Sequence, residues 1–268
     1  MKVSKKTIIV TGAGSGMGRE ISLELVRRGA KVIALDIHLQ TVVETKNLAG
    51  EHVDKIEVHA LDVTNREAID ELTETLAFNQ THVDGLINNA GIIQPFVPIN
   101  ELTIEQVEKV MNVNFYGPLY LIKAFLPELM SRPEAHILNV SSMGAYAPVP
   151  GQSAYGASKA ALKLLTEGLR SELKATNVRV TVAFPGAVAT NITENSGIEL
   201  PTNATEQSAK FKSLPAATAA KIMVDAIEAN KPRVTVGKDA RTMDLLSRLN
   251  PVYAANLIYK QMKSLLKE

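Results

Sequence analysis

Tyr155 and Lys159 stand four residues apart at the start of a stretch with helical periodicity, so both side chains project from one helix face. A free tyrosine has a pKa of about 10 and is a poor base near neutrality. A neighbouring ammonium favours the phenolate and lowers that pKa, which equips such a pair to move a proton to or from a substrate oxygen. Alone, Y-x-x-x-K is also a common surface pair on a helix. A second constellation lifts it above that. Thr11-Gly12-Ala13-Gly14-Ser15-Gly16-Met17-Gly18 follows a short apolar run, and a helical pattern opens at once. Glycine suits a tight turn, a close approach of backbone to a pyrophosphate, and close helix–strand packing. Backbone N–H groups at the helix start, over Ser15, Gly16 and Met17, then face the phosphates. The spacing fits T-G-x-x-x-G-x-G with Gly12, Gly16 and Gly18, and not the strict G-x-G-x-x-G.

Asp36 closes the next β-branched run. A carboxylate there accepts the ribose hydroxyls of an adenosine and repels a 2′-phosphate, so the expected cofactor is NAD, with NADP the lesser alternative. Neither Ser15 nor Ile37 supplies a cation to reverse that preference, and His38 does so only if protonated. Asp36 as a plain solvated strand-end acid is the bland alternative.

These groups need elements to hold them. Thr7–Val10, Lys31–Leu35, Ile56–Leu61, Gly85–Asn88, His136–Val140 and Val178–Phe184 read as strands, with helical patterns such as Met17–Arg28 and Arg66–Phe78 between them. Gly29 ends the first helix and Asn65 is placed to cap the second. Strands apolar on both faces and separated by helices predict an α/β fold, a doubly wound Rossmann-type parallel sheet of about seven strands. The chain of 268 residues, 46% hydrophobic, shows no linker or repeat, so residues 1–268 read as a single domain. The charged fraction of 21% balances to +1, which recommends no nucleic acid. No cysteine is present and the five histidines are scattered, so no metal site is expected. The first residues carry no signal peptide or spanning segment, which predicts a soluble cytoplasmic protein.

The motifs together resemble the short-chain dehydrogenase/reductase family, in its compact single-domain branch. The resemblance runs from Thr7 to Thr190. It is carried by the glycine turn, Leu61-Asp62-Val63, Asn88-Asn89-Ala90-Gly91, Asn114, Ser142, Tyr155-Gly156-Ala157-Ser158-Lys159 and Pro185-Gly186-Ala187-Val188-Ala189-Thr190. It implies an NAD(H)-dependent oxidoreductase acting on a secondary alcohol or ketone. In it Tyr155 exchanges the substrate proton, while Lys159 lowers the Tyr155 pKa and holds the nicotinamide ribose. Ser142, thirteen residues ahead of Tyr155, orients the carbonyl in preference to its neighbour Ser141. Asn114 supports a water-mediated proton relay. Asp62 and Val63 meet the adenine, and Asn89, Ala90 and Gly91 pass the adenosine ribose, whereas Asn88 braces the sheet. Pro185, Gly186, Val188 and Thr190 line the nicotinamide. Two alternatives remain: a catalytically silent dinucleotide-binding regulator, and an NADP-linked carbonyl reductase of the same fold.

Residues 191–215 are polar and irregular, which suits a substrate lid, or else a surface loop. With Gln94, Phe96, Met143–Tyr146 and Gln152 they are expected to line the substrate pocket. Glu194 and Glu199 argue weakly against an anionic substrate, and Lys210 and Lys212 for one. Beyond a helix over Ala216–Ala229 and a strand over Arg233–Val236, residues 240–268 form an extension with helical patterns at Asp244–Leu249 and Val252–Leu266. It packs on its own or a neighbouring subunit, or, less favoured, on a membrane surface. Family members pair as homodimers or homotetramers, and an extension over the last strand puts the tetramer in question.

Overall fold

A computed structural model of the chain describes residues 1–198, 213–263 and 266. Its centre is a seven-stranded sheet, parallel throughout, in the order β3-β2-β1-β4-β5-β6-β9. The strands are β1 (Thr7–Thr11), β2 (Lys31–Asp36), β3 (Ile56–Ala60), β4 (Gly85–Asn88), β5 (Ala135–Val140), β6 (Val178–Pro185) and β9 (Arg233–Val236). Alternate residues of one strand feed opposite cores. Ile8 and Val10 join a cluster with Ile21, Leu25 and Val224, whereas Ile9 joins Leu86, Leu121, Phe125 and Ile137 on the other face. Each fully buried aliphatic side chain contributes roughly 1.5–3 kcal/mol, so both faces must be covered. Helices α1 (Gly16–Arg27) and α8 (Ala216–Glu228) cover the first face. Helices α3 (Arg66–Phe78), α5 (Gly117–Ser131) and α6 (Ser153–Glu172) cover the second. The strand order reverses between β1 and β4, which opens a crevice at their carboxyl ends.

Local chemistry explains most boundaries. The Asn65 side chain accepts the Ala68 N–H and starts α3 as expected. Helix α2 (Leu39–Leu48), one of the helices expected between strands but not delimited in the sequence, follows β2 without a side-chain cap. Helix α4 (Ile104–Met111) starts on a reciprocal capping box between Thr103 and Gln106. It then passes through a π-helical turn over Asn112–Tyr116 before α5.

Two buried polar ladders cross the sheet. Asn88 Nδ2 donates to Asn139 Oδ1 at 2.8 Å, and Asn139 Nδ2 donates to Thr166 Oγ1 on α6 at 2.9 Å. His136, kept neutral because burial pulls its pKa to about 3, meets the Thr181 hydroxyl, which donates to the Lys231 carbonyl.

The segment beyond β6 departs from the expected irregular lid. Val188–Ala189 (β7) and Leu214–Pro215 (β8) pair as a two-residue parallel ladder, and a short helix α7 (Ile192–Asn195) follows β7. Residues 199–212, with Glu199, Lys210 and Lys212, lie outside the described residues. The extension is also more regular than its pattern. Helix α9 runs over Lys238–Leu249, six residues earlier than expected, because it starts directly at Gly237. Helix α10 (Pro251–Met262) starts at Asn250, whose side chain accepts the Tyr253 N–H. Met243, Ala254 and Ile258 pack against Ala147, Met143 and Tyr146 of the loop after β5. The extension therefore lies on its own subunit.

Replacing Asn139 by Ala strands Asn88 Nδ2 in the core, while the Thr166 hydroxyl keeps its bond to the Leu162 carbonyl. At about 1–3 kcal/mol for a buried polar group left unsatisfied, Asn139→Ala should lower the unfolding free energy by roughly that amount in urea titrations. A loss below about 1 kcal/mol would show that the ladder does not hold α6 to the sheet.

Candidate active site

Gly12 and Gly16 adopt φ of +63° and +50°, which only glycine does without strain. The Cβ position of Gly18 is filled by the Gly12 carbonyl, so α1 can lie this close to the turn only with glycine there. The turn opens onto a cavity of about 610 Å³ at the β1–β4 switch point. Gly12, Ser15, Gly16, Met17, Asp36, Asp62, Val63, Asn89, Ala90, Gly91 and Thr190 line it. Pro185, Gly186 and Val188 stand outside that lining. Asp36 is fixed at the rim, with Oδ2 accepting the Gly14 N–H at 2.9 Å and Oδ1 the His38 N–H at 3.1 Å. Asp62 folds into an Asx turn on the Thr64 N–H and hydroxyl. Asn89 donates to the Thr11 and Gly12 carbonyls, and its buried Oδ1 has no partner among the described residues. A glycine cradle, a rim carboxylate and a free buried acceptor suit a dinucleotide.

Arg19 escaped the sequence reading. It lies one turn into α1 and donates to the Gly14 and Thr41 carbonyls, while pairing with Glu44 at 2.9 Å. Its fork locks the glycine turn to α2. The start of the expected lid closes over the same turn, with Asn195 donating to the Ser15 hydroxyl at 2.8 Å. Ser196 accepts the Ile93 N–H at 3.0 Å.

The catalytic candidates converge where β5 ends and α6 begins. The Ser142 hydroxyl accepts the Gly144 N–H at 3.0 Å and lies with the Tyr155 ring against Gly144. Ser141 instead donates to the Lys159 carbonyl at 2.8 Å, which ties it to the helix backbone. Lys159, only 3% exposed, donates from Nζ to the Val140 carbonyl at 3.0 Å. Asn114 is fully buried in the π-turn. Its amide accepts the Ile92 N–H and donates to the Ile92 carbonyl and the Ser158 hydroxyl. A Cβ on Gly91 would lie 3.0 Å from Lys159 Nζ and 3.1 Å from Asn114 Oδ1, so Gly91 makes room for both.

The surroundings of Tyr155 act on its phenol. Desolvation holds the phenol above its ordinary value, opposed only by the Ser142 hydrogen bond, and the lysine faces Val140. Gln94 and Gln152, read as pocket lining, are instead a brace beneath α6. Gln152 donates to the Gln94 carbonyl at 2.7 Å, and Gln94 Oε1 accepts the Tyr155 N–H at 2.9 Å. Gln94 thereby caps α6, because the residue in the N-cap place, Gln152, makes no cap bond of its own. Met143 is half-buried against the extension.

Residues 6–200 match the family model for short chain dehydrogenase. A protein named putative oxidoreductase SadH from Mycobacterium tuberculosis is 33% identical over 250 residues, 91% of this chain and 90% of its own length. NADP-dependent 3-hydroxy acid dehydrogenase YdfG from Escherichia coli is 35% identical over 181 residues, 68% of this chain and 72% of its own. A short chain dehydrogenase from Burkholderia cenocepacia, solved in complex with NADP, superposes with a TM-score of 0.80 at 26% identity, covering 96% of this chain and 99% of that one.

Burial draws the Lys159 pKa down from 10.5 to about 8. Between these values the unfolded chain binds the proton that the folded chain has released, so stability rises with pH across that window and is lost as pH falls through 8. Lys159→Met removes this dependence. The melting-temperature advantage of the wild type over Lys159→Met should therefore grow from pH 7 to pH 10, and a constant difference would mark Lys159 as an ordinary lysine.

Proposed function

The chain belongs to the short-chain dehydrogenase/reductase family, and on that premise we propose that it interconverts a secondary alcohol and a ketone with NAD(H) as hydride carrier. The observation that carries this reading is the convergence of four side chains, Ser142 and Tyr155 beside Gly144, and Lys159 and Asn114 beside Gly91, a residue of the crevice lining. The cofactor, when bound, supplies or takes the hydride at its nicotinamide ring. The chain's own groups do the rest. Ser142 donates to the substrate oxygen and steadies the charge that develops there. Tyr155, held protonated by its dry surroundings, gives its proton to that oxygen in ketone reduction. In alcohol oxidation the phenolate must form, and a positive charge at Lys159 and at the oxidised ring favours it. Lys159 also binds the nicotinamide ribose, and Asn114 with the Ile92 carbonyl sustains a proton path from Lys159 towards solvent. Pairing of two copies through the helices that carry Asn114 and Tyr155 is consistent with Tyr116 and Leu164 standing exposed there.

NAD rather than NADP follows from Asp36. Two backbone N–H groups pin its carboxylate at the rim, where it meets ribose hydroxyls and repels a 2′-phosphate. The NADP reading has its own support in the NADP-named relative and neighbour and in the Arg19 cation near Gly14. Glu44 and two carbonyls already engage that cation, which favours NAD.

Tyr155→Phe should keep NADH binding and lose at least a hundredfold in turnover, read by absorbance across a panel of ketones, secondary alcohols and 3-hydroxy acids with both cofactors. An active Tyr155→Phe protein, or a wild type inert with every pair, would favour a silent dinucleotide-binding regulator. Asp36→Ala should shift the NADPH-to-NADH ratio of kcat/KM upward by about a hundredfold, since a like charge facing a phosphate costs several kcal/mol. An unchanged ratio would remove Asp36 as the discriminator.

A further inference from the structure

Asp239 sits exposed in the first turn of α9, an ordinary place for an acidic residue at a helix N-terminus. Its carboxylate does not stay with its own helix. Oδ2 accepts the Ala187 N–H at 2.7 Å, across to the loop after β6. The carboxylate also fills the place a Cβ would take on Gly186, and again on Gly237, which holds φ of +109°. Three positions from two distant segments are thus shaped around one side chain. The loop is fastened at neighbouring points as well. Gly186 N–H donates to the Val236 carbonyl at 3.0 Å, and the Ala187 carbonyl accepts the Leu214 N–H at 2.8 Å. Ala187 is therefore held on both sides, by Asp239 through its N–H and by β8 through its carbonyl. Just beyond it, Thr190 packs over Gly16 and enters the crevice lining.

We propose that Asp239 is a positioning residue for the nicotinamide end of the cofactor site, an inference resting on the reading above that Pro185–Thr190 line that end. The carboxylate sets how far the loop stands from β9 and from the glycine turn. Removing it frees the Ala187 N–H and leaves space beside Gly186, so the loop loses the fastening that fixes Val188 and Thr190. The adenosine half of the crevice is built on β1, β2 and β4, away from the segments that Asp239 touches, and is unaffected. The extension thereby acts on the site through its first turn.

The test compares Asp239→Ala and Asp239→Asn with wild type in the full chain, measuring NADH affinity by fluorescence and ADP affinity by calorimetry. Asp239→Ala should weaken NADH about tenfold, in line with loss of a hydrogen bond to a charged group, and leave ADP within twofold. Asp239→Asn retains an acceptor oxygen for Ala187 and should stay within about threefold of wild type for NADH. Unchanged NADH affinity in Asp239→Ala overturns the proposal, and so does an equal weakening of NADH and ADP, which marks general loosening. Should Asp239→Ala fail to fold, Gly186→Ala displaces the carboxylate instead. The same selective loss is then expected, and its absence is fatal to the idea. A wild type that binds ADP but neither NADH nor NADPH would instead overturn the functional reading beneath it.

Discussion

Thr11 joins the two strands on which the site depends. Its hydroxyl accepts the N–H groups of Asn89 and Ala90 at 3.0 and 2.9 Å, and Asn89 returns a hydrogen bond to the Thr11 carbonyl. Parallel neighbours β1 and β4 must diverge here, because their crossovers leave to opposite sides and open the crevice. Divergence strips backbone groups of sheet partners at the very place where no helix covers them. The Thr11 latch satisfies those groups without closing the gap. It also sets the distance between the glycine turn and Asn89–Gly91, the two walls a dinucleotide must touch at once.

The other half of the site follows the same logic with buried amides. Asn114 makes three hydrogen bonds to Ile92 and Ser158, and Gln94 with Gln152 braces the first turn of α6. Buried polar groups of this kind are costly unless satisfied, and once satisfied they specify one arrangement. The π-turn matters for this reason. One extra residue in the helical ladder lets Asn114 turn inward while α4 and α5 keep their packing. Tyr155 is thus held from its backbone by Gln94, with its ring and Ser142 both against Gly144 and Lys159 fixed one turn further on.

Much of this was legible in the residues. The strands fall within a residue or so of their apolar runs, since burial on both faces leaves β-branched stretches few other roles. The glycine turn and Asn65 declare themselves because backbone geometry and capping demand particular residue types. The π-turn gave no such sign: Asn112–Tyr116 reads as ordinary helix, and only the fold reveals that Asn114 reaches Ile92. Gln94 and Gln152 looked like pocket polars because a cap supplied from a distant segment leaves no local pattern. Helical spacing reveals which charges stand near Tyr155 but not how far burial raises its pKa. The early start of α9 was hidden by its polar first turn, where the apolar period has not yet begun.

The short β7–β8 ladder has a consequence beyond holding Ala187. It clasps the chain on both sides of residues 190–213, so whatever lies between is a closed excursion whose endpoints belong to the frame. The cost of closing such a loop grows slowly with length, about 0.6 kcal/mol for each doubling. At its near end Thr190, Asn195 and Ser196 touch Gly16, Ser15 and Ile93, so a change beside β7 reaches the glycine turn directly.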